Sequence, residues 1–258
     1  MQAHRQTEIL RAVRQSGSLS VTALAVQLGV STESIRRDIR PLIESGAVLR
    51  FHGGVADPAR QTAGPAHLEE PPFQRRMRVN REAKRKIAGL VLERIRDGDG
   101  LILDNGTTTA YVAEALAARS RLVVMTNSAQ IACRLAGRNG NRVFMAGGEL
   151  AGDDAAAFGP AALEFLRQFQ LRYALLSAGA IGADGEIRVF HLFEAEFARV
   201  AMGQARESWV IADGSKFLRE APVKLCDLAA VNRVITDTPP PPGFAAACAD
   251  AAVEIVSG

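Results

Sequence analysis

Apolar residues in the first fifth of the chain fall at helical intervals. Ile9, Leu10 and Val13 share one face of a helix over residues 4–15, which Gly17 ends. Val21, Leu24, Ala25 and Leu28 repeat the interval as far as Gly29. Ser31 then supplies an N-cap, and Ile35, Ile39, Leu42 and Ile43 form the stripe of the next helix. Two short helices joined by a tight glycine-containing turn predict a helix-turn-helix. Pro41 removes a backbone donor inside the second helix and predicts a bend there. The following AVLRFHGGV predicts two strands about a Gly53-Gly54 turn, a β-wing.

From Ala56 to about Asn80 the periodicity stops. Four prolines, a glycine and mixed charges leave too few spaced apolar residues for an element, so the stretch reads as a linker. Beyond it the period alternates between helix and strand. Ile87, Ala88, Val91, Leu92 and Ile95 line one helix. LILD, LVVMT, RVFMA, YALLSAG, WVIAD and RVITD are strand candidates, with helices over residues 128–136, 160–168 and 194–206 between several of them. The expected organisation is a winged helix-turn-helix over residues 1–56, a linker over 57–80, and a mostly parallel α/β domain over 81–258.

Charge sharpens this division. The chain has 258 residues, with Lys+Arg 31 against Asp+Glu 28. Residues 1–55 hold seven arginines and four acids, so the whole net charge of +3 lies there. A partner rich in negative charge is implied, double-stranded DNA first. Thr32, Glu33, Ser34 and Arg36 open the second helix, where a recognition helix meets base edges in the major groove. Arg37 and Arg40 flank them as phosphate contacts, and Arg50 and His52 add wing contacts. The rival for this module is a basic helical face that binds a protein.

Composition excludes several other classes. The cysteines, Cys133, Cys226 and Cys248, are far apart, and the four histidines are scattered. No disulfide framework, metal site or cofactor is therefore expected. With no secretory pattern at the start and no apolar run near the ~20 residues of a membrane span, a cytoplasmic protein is expected.

SVTALAVQLGVSTESIRRDIRPLIESGAVLRFHGGV resembles, without gaps, the winged helix-turn-helix of DeoR-type bacterial transcriptional regulators. Ile35-Arg36-Arg37-Asp38 and His52-Gly53-Gly54 are its signature pieces. The resemblance implies that the Arg36–Asp38 segment lies at the DNA interface, with Asp38 orienting an arginine.

In the second half, four candidate strands end in turns suited to an anion. They are Asp104-Asn105-Gly106-Thr107-Thr108-Thr109, Thr126-Asn127-Ser128, Gly147-Gly148-Glu149 and Asp213-Gly214-Ser215-Lys216. Ligands of open α/β sheets bind at the carboxyl ends of strands, so all four turns are candidates for one crevice. Gly106 admits close backbone approach, Thr107–Thr109 open a helix whose N-terminus favours an anion, and Lys216 brings a compact positive charge. A phosphorylated or carboxylated polyol fits this chemistry. His191 reads as structural, and Phe190, Phe193 and Phe197 as core.

These turns are similar to those of the DeoR-type effector domain, a fold like that of sugar-phosphate isomerases. The resemblance adds Lys84 and Glu194 to the effector-binding candidates. It implies a regulator, usually a repressor, whose DNA affinity changes when a phosphorylated sugar or polyol binds; a homo-oligomer on repeated operator half-sites is expected with it. GGELAGDDAAAFGPAALEFLRQFQLRYALL, Phe190–Glu194 and TDTPPPP look closest to the glycerol-3-phosphate-responsive members, which makes glycerol 3-phosphate the leading effector. FHLFE, Asn105 and Gly214 depart from the usual pattern and leave the effector open. Two rivals stand beside this reading. One is an isomerase-like enzyme fused to a DNA-binding head, against which no paired-carboxylate spacing is visible. The other is a constitutive DNA-binding protein whose α/β domain only oligomerises.

Overall fold

The computed structural model describes residues 2–16, 18–51, 54–56, 70–182 and 185–258. The chain divides into two compact units, Met1–Ala66 and His67–Gly258.

In the first unit, α1 (Gln2–Ser16) leads into β1 (Ser18–Ser20), α2 (Val21–Leu28) and α3 (Thr32–Glu44), followed by β2 (Leu49–Phe51) and β3 (Gly54–Ala56). Local chemistry sets these boundaries. Ser20 and Ser31 accept the amides of Ala23 and Ser34 and so cap α2 and α3. Between them Gly29 turns the chain at φ 63°, a left-handed conformation that suits glycine. Ile9 and Val13 from α1, Leu24 from α2, Ile35 and Ile39 from α3, and Val55 from β3 close one small core. The strands pair antiparallel in the order β1-β3-β2. The wing is therefore three-stranded, because SLS before α2 joins the hairpin expected from sequence; the hairpin's His52 and Gly53 lie outside the described residues. Pro41 sits inside α3, which continues to Glu44.

The second unit begins earlier than the periodicity indicates. Within the stretch read as linker, α4 (Phe73–Arg78) is helical, held by the buried ring of Phe73. One anchoring residue gives no period to detect. Then come α5 (Arg81–Leu92), β4 (Gly100–Leu103), α6 (Thr107–Leu116), β5 (Val123–Thr126), α7 (Ala129–Leu135) and β6 (Arg142–Met145). A short hairpin of β7 (Leu150–Ala151) and β8 (Ala156–Ala157) precedes α8 (Pro160–Leu166) and β9 (Leu171–Ser177). The remainder is β10 (Ala180–Ile181), β11 (Ile187–Val189), α9 (Leu192–Gly203), β12 (Ala205–Ile211), β13 (Val223–Cys226), β14 (Arg233–Thr236), α10 (Pro242–Asp250) and β15 (Glu254–Ser257).

Seven of these strands form one parallel sheet in the order β15-β14-β12-β9-β4-β5-β6. Both faces are covered, as a parallel sheet requires. Successive residues show it. Leu101 and Leu103 point to the layer holding Ile87, Val91, Val112 and Leu116, whereas Ile102 points to the layer of Leu166, Phe197 and Phe244. The strand order reverses between β4 and β9. Chain leaving β4 turns into α6 on the first layer, and chain leaving β9 leads to α9 on the second. Such a divergence opens a crevice at the strands' carboxyl ends. The antiparallel sheet β10-β11-β13 stands beside it.

Candidate functional site

The crevice between β4 and β9 encloses about 510 Å³, part of it open solvent. Asp104, Gly106, Thr107, Thr108, Glu194 and Lys216, all expected from sequence, line it. Glu70, Arg76, Asn105, Ser177 and Gly179 complete its polar and backbone wall. The Ser177-Ala178-Gly179 turn ends the YALLSAG strand and lies outside the four turns expected from sequence to meet an anion. Glu70 and Arg76 carry no strand-end signal at all.

Asp104 is the buried centre of the turn after β4. Its carboxylate accepts the Gly106 amide at 3.0 Å, the Ser177 amide at 2.5 Å and the Thr109 hydroxyl. Burial outweighs these donors and raises its pKa. Gly106 is required sterically: a Cβ there would lie 1.8 Å from Ser177 Oγ. The turn presents Thr107 and Thr108 at the N-terminus of the ten-residue α6.

Lys216 comes from the turn after β12. Asp213 fixes that turn by accepting the Ser215 amide at 3.1 Å and the Asn80 side-chain amide at 2.9 Å. Burial alone would raise the Asp213 carboxyl, but Lys216 and the Ser215 donors bring it below its ordinary range. Burial, with Arg219 adding to it, lowers the Lys216 ammonium. Among the described residues no acceptor lies within hydrogen-bonding distance of that ammonium, so its donors point to a ligand or solvent. Glu194, near the start of α9, accepts the His191 amide at 3.3 Å. Its pKa is pushed up to about 8, by burial first and then by Glu70, with Arg76 opposing.

The structure does not bring the other candidates to the crevice. Lys84 is buried, and its ammonium donates to the carbonyls of Arg76 and of Val79, the latter at 2.8 Å, closing the end of α4. Burial lowers its pKa to about 8. Thr109 turns its hydroxyl inward to Asp104 and Ser177. Thr126 accepts the Ser128 amide, and Asn127 donates to the Ala157 carbonyl, so that turn anchors β8. Gly147 and Gly148 follow β6, two strands from β4 and so roughly 10 Å along the sheet. Of the aromatic residues near β11, Phe190 and Phe197 are buried, whereas Phe193 is half exposed and stacked on His191.

On α3 the side chains of Thr32, Glu33, Arg36, Arg37 and Arg40 are exposed, and Ser34 is half-buried. Arg36 shares its guanidinium with Glu33 at 3.5 Å. Asp38 points inward. Its fully buried carboxylate pairs with Arg5 of α1, so it orients an arginine inside the module. Arg50 lies on β2, and His52 lies outside the described residues.

Residues 5–61 match the DeoR-like helix-turn-helix domain, and residues 79–238 match the DeoR C terminal sensor domain. The glycerol-3-phosphate regulon repressor of Escherichia coli (strain K12) is 35% identical over 93% of this chain and 92% of its own length. Its namesake in Haemophilus influenzae is 34% identical over 93% of this chain and 91% of its own. The transcriptional repressor AccR of Agrobacterium fabrum is 31% identical, over 91% and 89%. A solved ribose 5-phosphate isomerase from Methanocaldococcus jannaschii shares 17% identity over 54% of this chain and 55% of its own, with a TM-score of 0.39. Both halves of the chain thus match, in order, and the relatives bear the names of transcriptional regulators, not of enzymes. The chain belongs to the DeoR family of DNA-binding transcriptional regulators, with an N-terminal helix-turn-helix and a C-terminal sensor domain.

Proposed function

We infer that this regulator represses a carbohydrate or glycerol catabolic operon and senses a phosphorylated sugar or polyol in the crevice between β4 and β9. One observation carries the reading. The Lys216 ammonium, free of protein acceptors among the described residues, shares a crevice with the amide end of α6 at Thr107 and Thr108. Helix amides and the ammonium of a half-buried lysine together favour a phosphate. Glu194, largely protonated at neutral pH, donates to it or to a polyol hydroxyl. Two relatives named for the glycerol-3-phosphate regulon support glycerol 3-phosphate as the effector.

On the DNA side, Thr32, Glu33, Ser34 and Arg36 read base edges, while Arg37, Arg40 and the wing residues Arg50 and His52 hold the backbone. The protein acts in the cytoplasm as a homo-oligomer on repeated half-sites. Effector binding shifts the population between arrangements that present the heads well or badly, through its differential affinity for the two.

Fluorescence anisotropy with the DNA upstream of its own operon tests this, at fixed salt because affinity is salt-dependent. Glycerol 3-phosphate should alter operator binding by the wild type where glycerol does not. Lys216→Ala and Thr107→Val should bind operator normally and ignore the effector. A retained response in both variants would overturn the pocket assignment.

A further inference from the structure

The crevice already holds an anion of the protein's own. Glu70 lines it, with its side chain 8% exposed and its carboxylate 2.9 Å from the guanidinium of Arg76. The same carboxylate acts electrostatically on Lys216 and on Arg219. A surface ion pair would not be so enclosed; this one lines the same crevice as Thr107 and Thr108.

We propose that Glu70 is an internal ligand of the sensor domain: its carboxylate holds the cationic side of the crevice that the effector's phosphate takes, and phosphate binding expels it. The proposal rests on the anion-sensing reading above and adds the competitor that the effector must displace. A phosphate brings about −1.5 to −2 charge and three acceptor oxygens against a single carboxylate, so it is the stronger partner for Arg76 and Lys216. Two contacts respond together, because Arg76 also donates through Nε to the Pro71 carbonyl at 2.9 Å. The buried Phe73 ring anchors the chain just beyond, which confines the displacement to the residues before it. Those residues are where the sensor domain meets residues 57–69, the chain that leads back to the DNA-binding unit. Occupancy of the crevice and the position of the linker's end thereby become one equilibrium.

The test uses the full-length protein and inorganic phosphate, which carries the anion without a polyol. Thermal melting is followed across a phosphate titration, with sulfate-free buffer at constant ionic strength, for the wild type, Glu70→Gln, Glu70→Ala and Lys216→Ala. Removing a competitor that fills the site ~90% of the time tightens apparent affinity roughly tenfold. Both Glu70 variants should therefore reach half-maximal stabilisation at about one-tenth of the wild-type phosphate concentration, and Lys216→Ala should show little stabilisation. Equal midpoints for the wild type and the Glu70 variants would overturn the internal ligand while leaving the anion site in place. Weaker binding in the Glu70 variants would do the same and make Glu70 a structural support of the site. No stabilisation of either wild type or Glu70 variants would remove the anion site, and the internal ligand with it.

Discussion

The Asp104 carboxylate accepts the Ser177 backbone amide at 2.5 Å, which ties the first residue after β4 to the last residue of β9. The site is thus stapled across the very gap where the strand order reverses. Gly106 lies under that staple, and its missing side chain leaves room for Ser177.

Gly106→Ala is expected to destabilise the sensor domain by about 1–3 kcal/mol, the usual cost of overpacking, and to abolish the effector response. The built Cβ would lie 1.8 Å from Ser177 Oγ and 2.3 Å from Ser177 Cβ. Ser177→Ala should consequently fail to rescue it, whereas Ser177→Gly should recover part of the loss. Chemical denaturation of the four proteins checks both statements.

Glu194 gives the fold a pH signature. Its pKa rises from 4.5 to about 8 in the folded protein, so the folded state holds a proton that the unfolded chain releases. The resulting stability is fully present below about pH 4.5 and is lost as pH rises through 8. Glu194→Gln should flatten this decline and leave the variant more stable than wild type at pH 8.5. Because the group is partly open to solvent, a gain of about 1 kcal/mol is expected. Unfolding curves at several pH values would reveal it, and parallel profiles for the two proteins would count against a protonated Glu194.

Arg36→Ala should weaken specific operator binding by roughly 1–3 kcal/mol if its guanidinium reads a base edge. Competition with random DNA separates the possibilities. Equal weakening on both DNAs assigns Arg36 to phosphate.

Arg5→Ala removes the partner of a fully buried carboxylate, that of Asp38. Stranding such a charge costs about 3–5 kcal/mol, a large fraction of what a small module possesses. The expected result is an unfolded DNA-binding unit beside a folded sensor unit, seen as two separate melting transitions. Asp38→Asn in the Arg5→Ala background should restore part of the lost stability.

The helix-turn-helix was legible because each apolar stripe and each cap is local: Ser31, Gly29 and the Ile35–Ile43 spacing name α3 without help from the rest of the chain. The six strands from β4 to β14 in the parallel sheet were legible from their continuous apolar runs. β15 was not, since its apolar content reduces to Ile255 and Val256, one on each face of the sheet, with no run to detect. The site divided along the same line. Turns follow strands visibly, so Asp104–Thr108 and Lys216, which line the crevice, are legible as candidates. Which turns converge depends on strand order, and this placed Gly147-Gly148 two strands from β4, whereas Thr126 and Asn127, one strand away, spend their side chains on the turn that anchors β8. Lys84 shows the opposite limit: a lysine facing a helix terminus looks, in sequence, like a lysine facing a ligand. Glu70 and Arg76 meet through a contact that neither periodicity nor turn chemistry encodes.

The reversal of strand order also divides the sensor domain mechanically. β4, β5 and β6 come from residues 100–145, and β9, β12, β14 and β15 from residues 171–257. Thr107 on one side and Lys216 on the other line the same crevice, so an effector bound there as proposed would work as a splint across two separately woven halves. Its leverage would come less from the area it covers than from where it sits, at the seam where β4 meets β9.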